Sequence, residues 1–325
     1  MSIDTGEAAF AGVTQSAGAP PSGVLELQVV QLRRESDGVL SVTLADPERR
    51  LLPAWTPGAH IDLWLPDQVR QYSLCGDPAE RRAYRVAVLR EEASRGGSAY
   101  VHDALRPGEL VEVGGPRNHF PLVPAEEYLF VAGGIGITPL LPMIAAAGEN
   151  WRLLYGGRTR RSMAFTGRLG SDPRVLVRPQ DVYGVLDLAG ALGEPRPGVA
   201  VYCCGPEPLI AAMEAACAAW PAGTLHVERF SAAAIDTSAD VAFHVVARRS
   251  NTRLAVPAGE SVLDVLETAG IEVPNACRDG ICGSCETRVL SGLPEHRDTL
   301  TDPGVTDRVL PCVSRARTAE LVLDL

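Results

Sequence analysis

At 325 residues the chain is long enough for two or three domains, each able to bury its own core. Its composition, 46% hydrophobic and 22% charged, is that of a globular protein, and a formal net charge of −10 excludes a general binder of nucleic acid or anionic membranes. Eight cysteines without a basic-then-apolar leader read as metal ligands or buried thiols, not as a disulfide framework, so a cytoplasmic protein is expected.

Residues 1–22 are small, polar and punctuated by Pro and Gly, and predict a disordered tail. Over residues 23–124, short alternating runs ("VLELQVVQL", "LSVTLADP", "HIDLWLP", "RQYSLCG", "YRVAVLRE", "LVEVGGP") predict a small antiparallel barrel with one helix, "SAYVHDALR". The run "RQYSLCG" puts Arg70, Gln71, Tyr72 and Ser73 on one strand. Alternation sends Arg70 and Tyr72 to one face and Ser73 to the other. Gly96, Gly97 and Ser98 open the helix, with Ser98 predicted as its N-cap and exposed backbone N–H groups able to receive a phosphate. Taken alone, an ordinary strand and a capped helix explain these two stretches better than a cofactor site does.

Over residues 125–230 apolar strands alternate with helices, the pattern of a parallel sheet covered on both faces. Residues 128–148 are uncharged and long enough to cross a bilayer. Gly133, Gly134, Gly136, Pro139 and Pro142 divide that run into strand, turn and helix, so no membrane span is expected. In "VAGGIGITP", Thr138 is predicted as N-cap and Pro139 as first helical residue, leaving a helix N-terminus that can accept a pyrophosphate. Pro139 stands where a G-x-G-x-x-G motif has its third glycine, so an ordinary dehydrogenase domain is not indicated.

Residues 231–240 predict a linker, and residues 241–325 hold strands, a helix ("SVLDVLETAG") and a cysteine-rich turn, "CRDGICGSC". Cys277, Cys282 and Cys285, with Cys312 further on, have the plant-type [2Fe–2S] spacing, C-x4-C-x2-C followed by a distant Cys. A zinc knuckle, the alternative for soft thiolate ligands, usually draws on two separated C-x2-C pairs. Gly280 and Gly283 suit a loop whose N–H groups must point at sulfur.

The ordered series R-x-Y-S, G-G-S, G-G-x-G-x-T-P and C-G-P (Cys204, Gly205, Pro206), followed by the cysteine turn, resembles the ferredoxin–NADP reductase superfamily. Within it the chain resembles the phthalate dioxygenase reductase and vanillate O-demethylase reductase family from about residue 23 to the end. The resemblance implies a multi-domain protein: an antiparallel β-barrel flavin domain, an α/β parallel-sheet nucleotide domain and an α+β, β-grasp ferredoxin domain. It also implies roles. Arg70 would neutralise the flavin phosphate, with Gly96, Gly97 and Ser98 at that end. Gln71, Tyr72 and Ser73 would contact the ribityl chain and ring, beside the strand Ala87, Val88, Leu89. Gly133, Gly134, Gly136, Thr138, Cys204, Gly205 and Pro206 would hold the nicotinamide nucleotide. Phe230 would cover the flavin ring, and Ser73, Cys204 and the acid Glu228 would stand with it around hydride transfer.

The implied cofactors are FMN, with FAD less favoured, a [2Fe–2S] cluster and NADH. Arg158 and Arg160 keep NADPH open, because they follow the second strand of the nucleotide domain and could reach a 2′-phosphate. The implied partner is a terminal oxygenase, Rieske-type first and a cytochrome P450 second, served by a monomer. A zinc-stapled nucleotide-binding regulator is the reading from another class.

Overall fold

The computed structural model describes residues 23–66, 68–92, 96–231 and 235–325. The expected tail and part of the expected linker lie outside the described residues.

Alternating apolar positions give six strands: β1 (Leu25–Ser36), β2 (Val39–Ala45), β3 (His60–Leu65), β4 (Gln68–Ser73), β5 (Ala83–Leu89) and β6 (Leu110–Arg117). They pair antiparallel in the order β4-β3-β6-β1-β2-β5. The edge strands β4 and β5 are tied by a Leu74–Val86 bridge and by the Cys75 N–H donating to the Arg85 carbonyl at 2.8 Å, which curls the sheet into a barrel. Leu27, Val29, Val42, Leu44, Ile61 and Tyr84 fill it.

Five parallel strands follow: β7 (Glu127–Gly133), β8 (Trp151–Gly157), β9 (Val175–Pro179), β10 (Val199–Cys204) and β11 (Leu225–Glu228), in the order β11-β10-β7-β8-β9. The helix Ile137–Ala146 packs Leu140 and Met143 on one face, beside Phe130, Tyr155 and Tyr202. The helix Glu207–Ala216 packs Ile210 and Met213 on the other, beside Val131 and Val201. The uncharged run therefore resolves into a strand, a short turn and a ten-residue helix. Among the described residues no helix is long and apolar enough to cross a membrane.

The barrel and the parallel sheet share a core. Phe120 meets Tyr202 edge to face at 5.3 Å, and the Tyr202 hydroxyl donates to the Pro121 carbonyl (2.9 Å) while accepting from the Val123 N–H (2.7 Å).

The last module has strands β12 (Phe243–Ala247), β13 (Thr252–Val256), β14 (Thr287–Ser291), β15 (Pro294–Glu295), β16 (Arg308–Val309), β17 (Arg315–Ala316) and β18 (Glu320–Leu323). The main sheet runs β13-β12-β18-β14-β16, with β12 and β18 parallel, and β15 pairs with β17 apart from it. The helix Val262–Thr268, capped by Ser261 accepting from the Asp264 N–H at 3.0 Å, buries Val262, Leu263 and Leu266 against the sheet. Asp240 anchors the approach to this module: its side chain is 2% exposed between the guanidinium groups of Arg297 (2.8 Å) and Arg315 (3.4 Å). Arg315 donates in turn to the carbonyls of Val241 and Pro257.

Candidate functional site

The three modules meet around one cleft of about 700 Å³. Strand β4 contributes Arg70, Gln71, Tyr72 and Ser73, and β5 contributes Ala87 and Leu89. The alternation rule had separated Ser73 from Arg70 and Tyr72, yet all three border the cleft, as does Gln71. The reason is that β4 is the edge of its sheet, so a cavity can wrap it from both sides. Val88 differs from its neighbours: its side chain is buried in the barrel core and does not line the cleft.

Ser98 borders the cleft but does not cap its helix. Gly96, at φ 110°, takes the cap position of the helix Gly97–Asp103, and the Ser98 hydroxyl accepts from the Glu91 N–H at 3.1 Å. A Cβ on Gly97 would come 2.9 Å from Arg70 Cγ, so glycine lets the helix start lie against β4. Burial holds the Tyr72 hydroxyl up at about 12, against the opposing pull of Arg70, and so keeps it neutral.

At the inner end Ser73, Cys204 and Glu228 converge from the ends of β4, β10 and β11. Cys204 and Glu228 are register partners in the parallel sheet. The Ser73 hydroxyl donates to Glu228 Oε2 at 3.4 Å, and the Cys204 thiol approaches the same oxygen at 3.9 Å. Burial raises the Glu228 carboxyl to about 8, although bonds from Ser73 and Cys204 pull the other way. Burial, and then Glu228 itself, push the Cys204 thiol far up, so it stays protonated. The cluster can hold one proton on a carboxyl facing the cleft. Phe230, two residues beyond Glu228, lines the same cleft and is 41% exposed, a ring available for stacking.

The glycine turn lies alongside. A Cβ on Gly136 would fall 2.2 Å from the Cys204 carbonyl oxygen, and one on Gly133 would fall 2.6 Å from Pro206 Cδ. These two glycines let the ends of β7 and β10 touch, bringing Gly205 and Pro206 beside the turn. Gly134, at φ 55° with open space beside it, is the one a ligand can approach. Thr138 is not the N-cap: the helix begins at Ile137, straight from the tight turn Gly134–Gly136, and the Thr138 hydroxyl donates back to the Ile135 carbonyl at 2.9 Å. Thr138 is buried against the cleft. Arg158 is exposed just past the C-terminal end of β8, where a nucleotide's outer end would lie.

Cys277, Cys282, Cys285 and Cys312 are all buried together, with the sulfurs of Cys285 and Cys312 3.4 Å apart. The donor set fits an iron–sulfur cluster. Four soft thiols converge, the Asp279 N–H points at Cys277 Sγ (3.3 Å), and the Ser284 N–H points at Cys282 Sγ (3.4 Å). Within each pair one thiol hydrogen-bonds the other, which holds Cys282 and Cys285 below the usual thiol range and Cys277 and Cys312 above it. Arg278 (φ 58°), Gly280 (φ 70°) and Gly283 (φ 71°) bend the loop around the sulfurs. Cys277 also lines the cleft, together with Ile281 and Leu300.

Several residues of the cleft carried no signal in the sequence. His60, register partner of Ser73 on β3, lines it with a buried Nε2 that has no hydrogen-bond partner, and His119 follows β6. Each is a lone histidine in its segment, and only the antiparallel pairing brings them to the site.

A barrel, a parallel sheet and a four-thiol module arranged around a shared cleft define a pyridine-nucleotide-linked flavin and iron–sulfur oxidoreductase. Residues 245–317 match the 2Fe-2S iron-sulfur cluster binding domain family, which sets aside the zinc alternative. The chain is 42% identical over 311 residues to the phenoxybenzoate dioxygenase subunit beta of Ectopseudomonas oleovorans, covering 93% of this chain and 97% of that one. It superposes on the solved structure of phthalate dioxygenase reductase, described as modular for electron transfer from pyridine nucleotides to [2Fe-2S], with a TM-score of 0.70 and 38% identity, over 93% of this chain and 98% of that one. An intact type IV self-sufficient cytochrome P450 monooxygenase matches with a TM-score of 0.88 and 40% identity; 96% of this chain is covered, but the chain spans only 43% of that protein. The chain belongs to the phthalate dioxygenase reductase family of oxygenase reductase components.

Proposed function

We propose that this chain takes electrons from NADH, through FMN in the cleft and a [2Fe–2S] cluster on Cys277, Cys282, Cys285 and Cys312, to a Rieske-type oxygenase or O-demethylase. When bound, the flavin accepts a hydride's two electrons and the cluster passes electrons on singly; the chain supplies binding, spacing and exclusion of water. Arg70 supplies the positive charge for the phosphate end, and Gln71, Tyr72 and Ser73 border the ring and its chain. Phe230, exposed at the cleft, would cover the ring. Ser73 and Cys204 hold Glu228 through Oε2, and the carboxyl keeps a proton within the cleft. Gly134 and the start of the helix Ile137–Ala146 receive the pyrophosphate. Arg158 stands where it would meet the adenosine end, and with Arg160 close by in sequence it keeps NADPH open beside NADH. The observation that carries this reading is that Cys277 lines the same cavity as Ser73 and Glu228, so one cleft serves both redox groups.

The same reading includes a cytoplasmic setting, where thiolate ligands stay reduced, and a monomer as the working unit. Cys282→Ser tests the relay. It should retain NADH-dependent reduction of a two-electron dye and lose one-electron reduction of cytochrome c. Equal loss of both activities would refute separate flavin and cluster stages.

The match to a self-sufficient P450 over nearly the whole chain favours a second reading, in which the acceptor is a P450 haem. Product formation with purified oxygenases of each kind decides between the two.

A further inference from the structure

His119 stands between the barrel and the thiol loop. The turn that carries it is pinned on both sides. Asn118 donates to Thr56 Oγ1 (2.8 Å) and the Pro57 carbonyl (2.9 Å) and accepts from the Phe120 N–H (2.9 Å), while Phe120 is buried in the shared core. The backbone that carries the ring is thereby fixed. Its tip lies over the loop between Cys282 and Cys285: a Cβ on Gly283 would come 3.1 Å from His119 Nε2 and 3.3 Å from Cε1. Behind His119 lies His60, with ring centroids 5.5 Å apart, itself buried at the start of β3, on the rim of the barrel wall. The order barrel wall, His60, His119, Gly283 is thus a continuous packed column from the flavin side of the cleft to the thiol loop.

We propose that His119 is a positioning residue for electron passage between the cleft and the thiol nest, seating Gly283 against the barrel with His60 as its backstop. This rests on the reading above that the cleft takes a flavin and the nest a [2Fe–2S] cluster. Transfer of a single electron between two held groups falls steeply with their separation, whereas hydride delivery at the Ser73–Glu228 end does not itself involve Gly283. A positional error of ~1 Å can cost a geometry-dependent step as much as ~100-fold. Gly283 is part of the device: any side chain there would meet the His119 ring, at a φ of 71° that already favours glycine.

The test uses the holo protein and two readouts. Anaerobic stopped-flow mixing with NADH separates flavin bleaching from cluster reduction, and hydrogen exchange follows the amides of residues 277–286 without turnover. His119→Ala should slow cluster reduction about tenfold more than flavin bleaching and speed exchange at Gly283 and Ser284. His119→Gln, which keeps a polar tip at similar reach, should restore most of both. Gly283→Ala provides a second variant, and should reproduce the selective slowing by displacing the ring from the other side. If wild-type protein shows no flavin bleaching by NADH, the cofactor reading and this inference fall together. If bleaching is normal and His119→Ala keeps the wild-type cluster phase and exchange pattern, this inference alone is overturned.

Discussion

The carboxyl of Glu228 is the residue whose surroundings most change its chemistry. Its ordinary value of 4.5 rises to about 8 because it is buried with only a hydroxyl and a thiol for company. The folded chain therefore holds a proton that the unfolded chain releases between those two values. By linkage, stability falls as pH rises through that window. His60 acts in the opposite sense: burial, with Arg117 and His119 adding to it, lowers it from 6.5 to about 3, so its contribution grows as pH rises between those values. Replacing Glu228 with Gln should remove the decline between pH 4.5 and 8 that wild-type thermal melts are expected to show, while leaving the His60 contribution in place. Parallel pH slopes for the two proteins would contradict a protonated Glu228. None of this is visible in "HVERF", where one acid among ordinary neighbours has no pattern; Ser73 lies 155 positions away. Family resemblance singled the residue out, and folding explains it.

Elements were read well where a period runs long enough to declare itself. The barrel strands and the apolar strands β7, β8 and β10 follow directly from alternation and from unbroken hydrophobic runs. The edge strands β9 and β11 escaped the reading, being five and four residues long and only partly buried. Capping was misjudged for a related reason. Ser98 and Thr138 are good caps by residue type, but preceding glycines already adopt the turns, which moves each hydroxyl to another acceptor or donor. The same glycines give a test of how the elements fit. Gly136 has a backbone any residue can adopt, yet its Cβ would overlap the Cys204 carbonyl; Gly134 has open space but a left-handed backbone. Gly136→Ala should cost ~1–3 kcal/mol by overpacking, and Gly134→Ala ~1 kcal/mol by backbone strain alone. Urea denaturation ranks them, and the reverse order would mean that β7 and β10 do not meet as closely as described.

At the scale of the whole molecule, the spacing of four cysteines was enough to announce the last module, because metal ligation imposes its geometry on sequence directly. How that module attaches was illegible, since Asp240, Arg297 and Arg315 are distant, ordinary-looking charges. Removing the carboxyl with Asp240→Ala leaves two guanidinium groups facing each other in a largely enclosed site. Arg315 keeps its carbonyl partners, so the loss should be up to about 3 kcal/mol. Calorimetry should show it as an earlier transition confined to the iron–sulfur module, and an unshifted trace would dismiss the latch.

The hydroxyl of Tyr202, shared between Pro121 and Val123, has a practical meaning for anyone recombining such proteins. Severing the chain near residue 124 would strip that tyrosine of both partners and lay bare Phe120 and Tyr128, leaving two sticky halves. A graft made just beyond Phe230 divides no hydrophobic core among the described residues, so the terminal iron-binding unit is the piece that can be exchanged as a cassette, provided the new unit rebuilds the contact with His119.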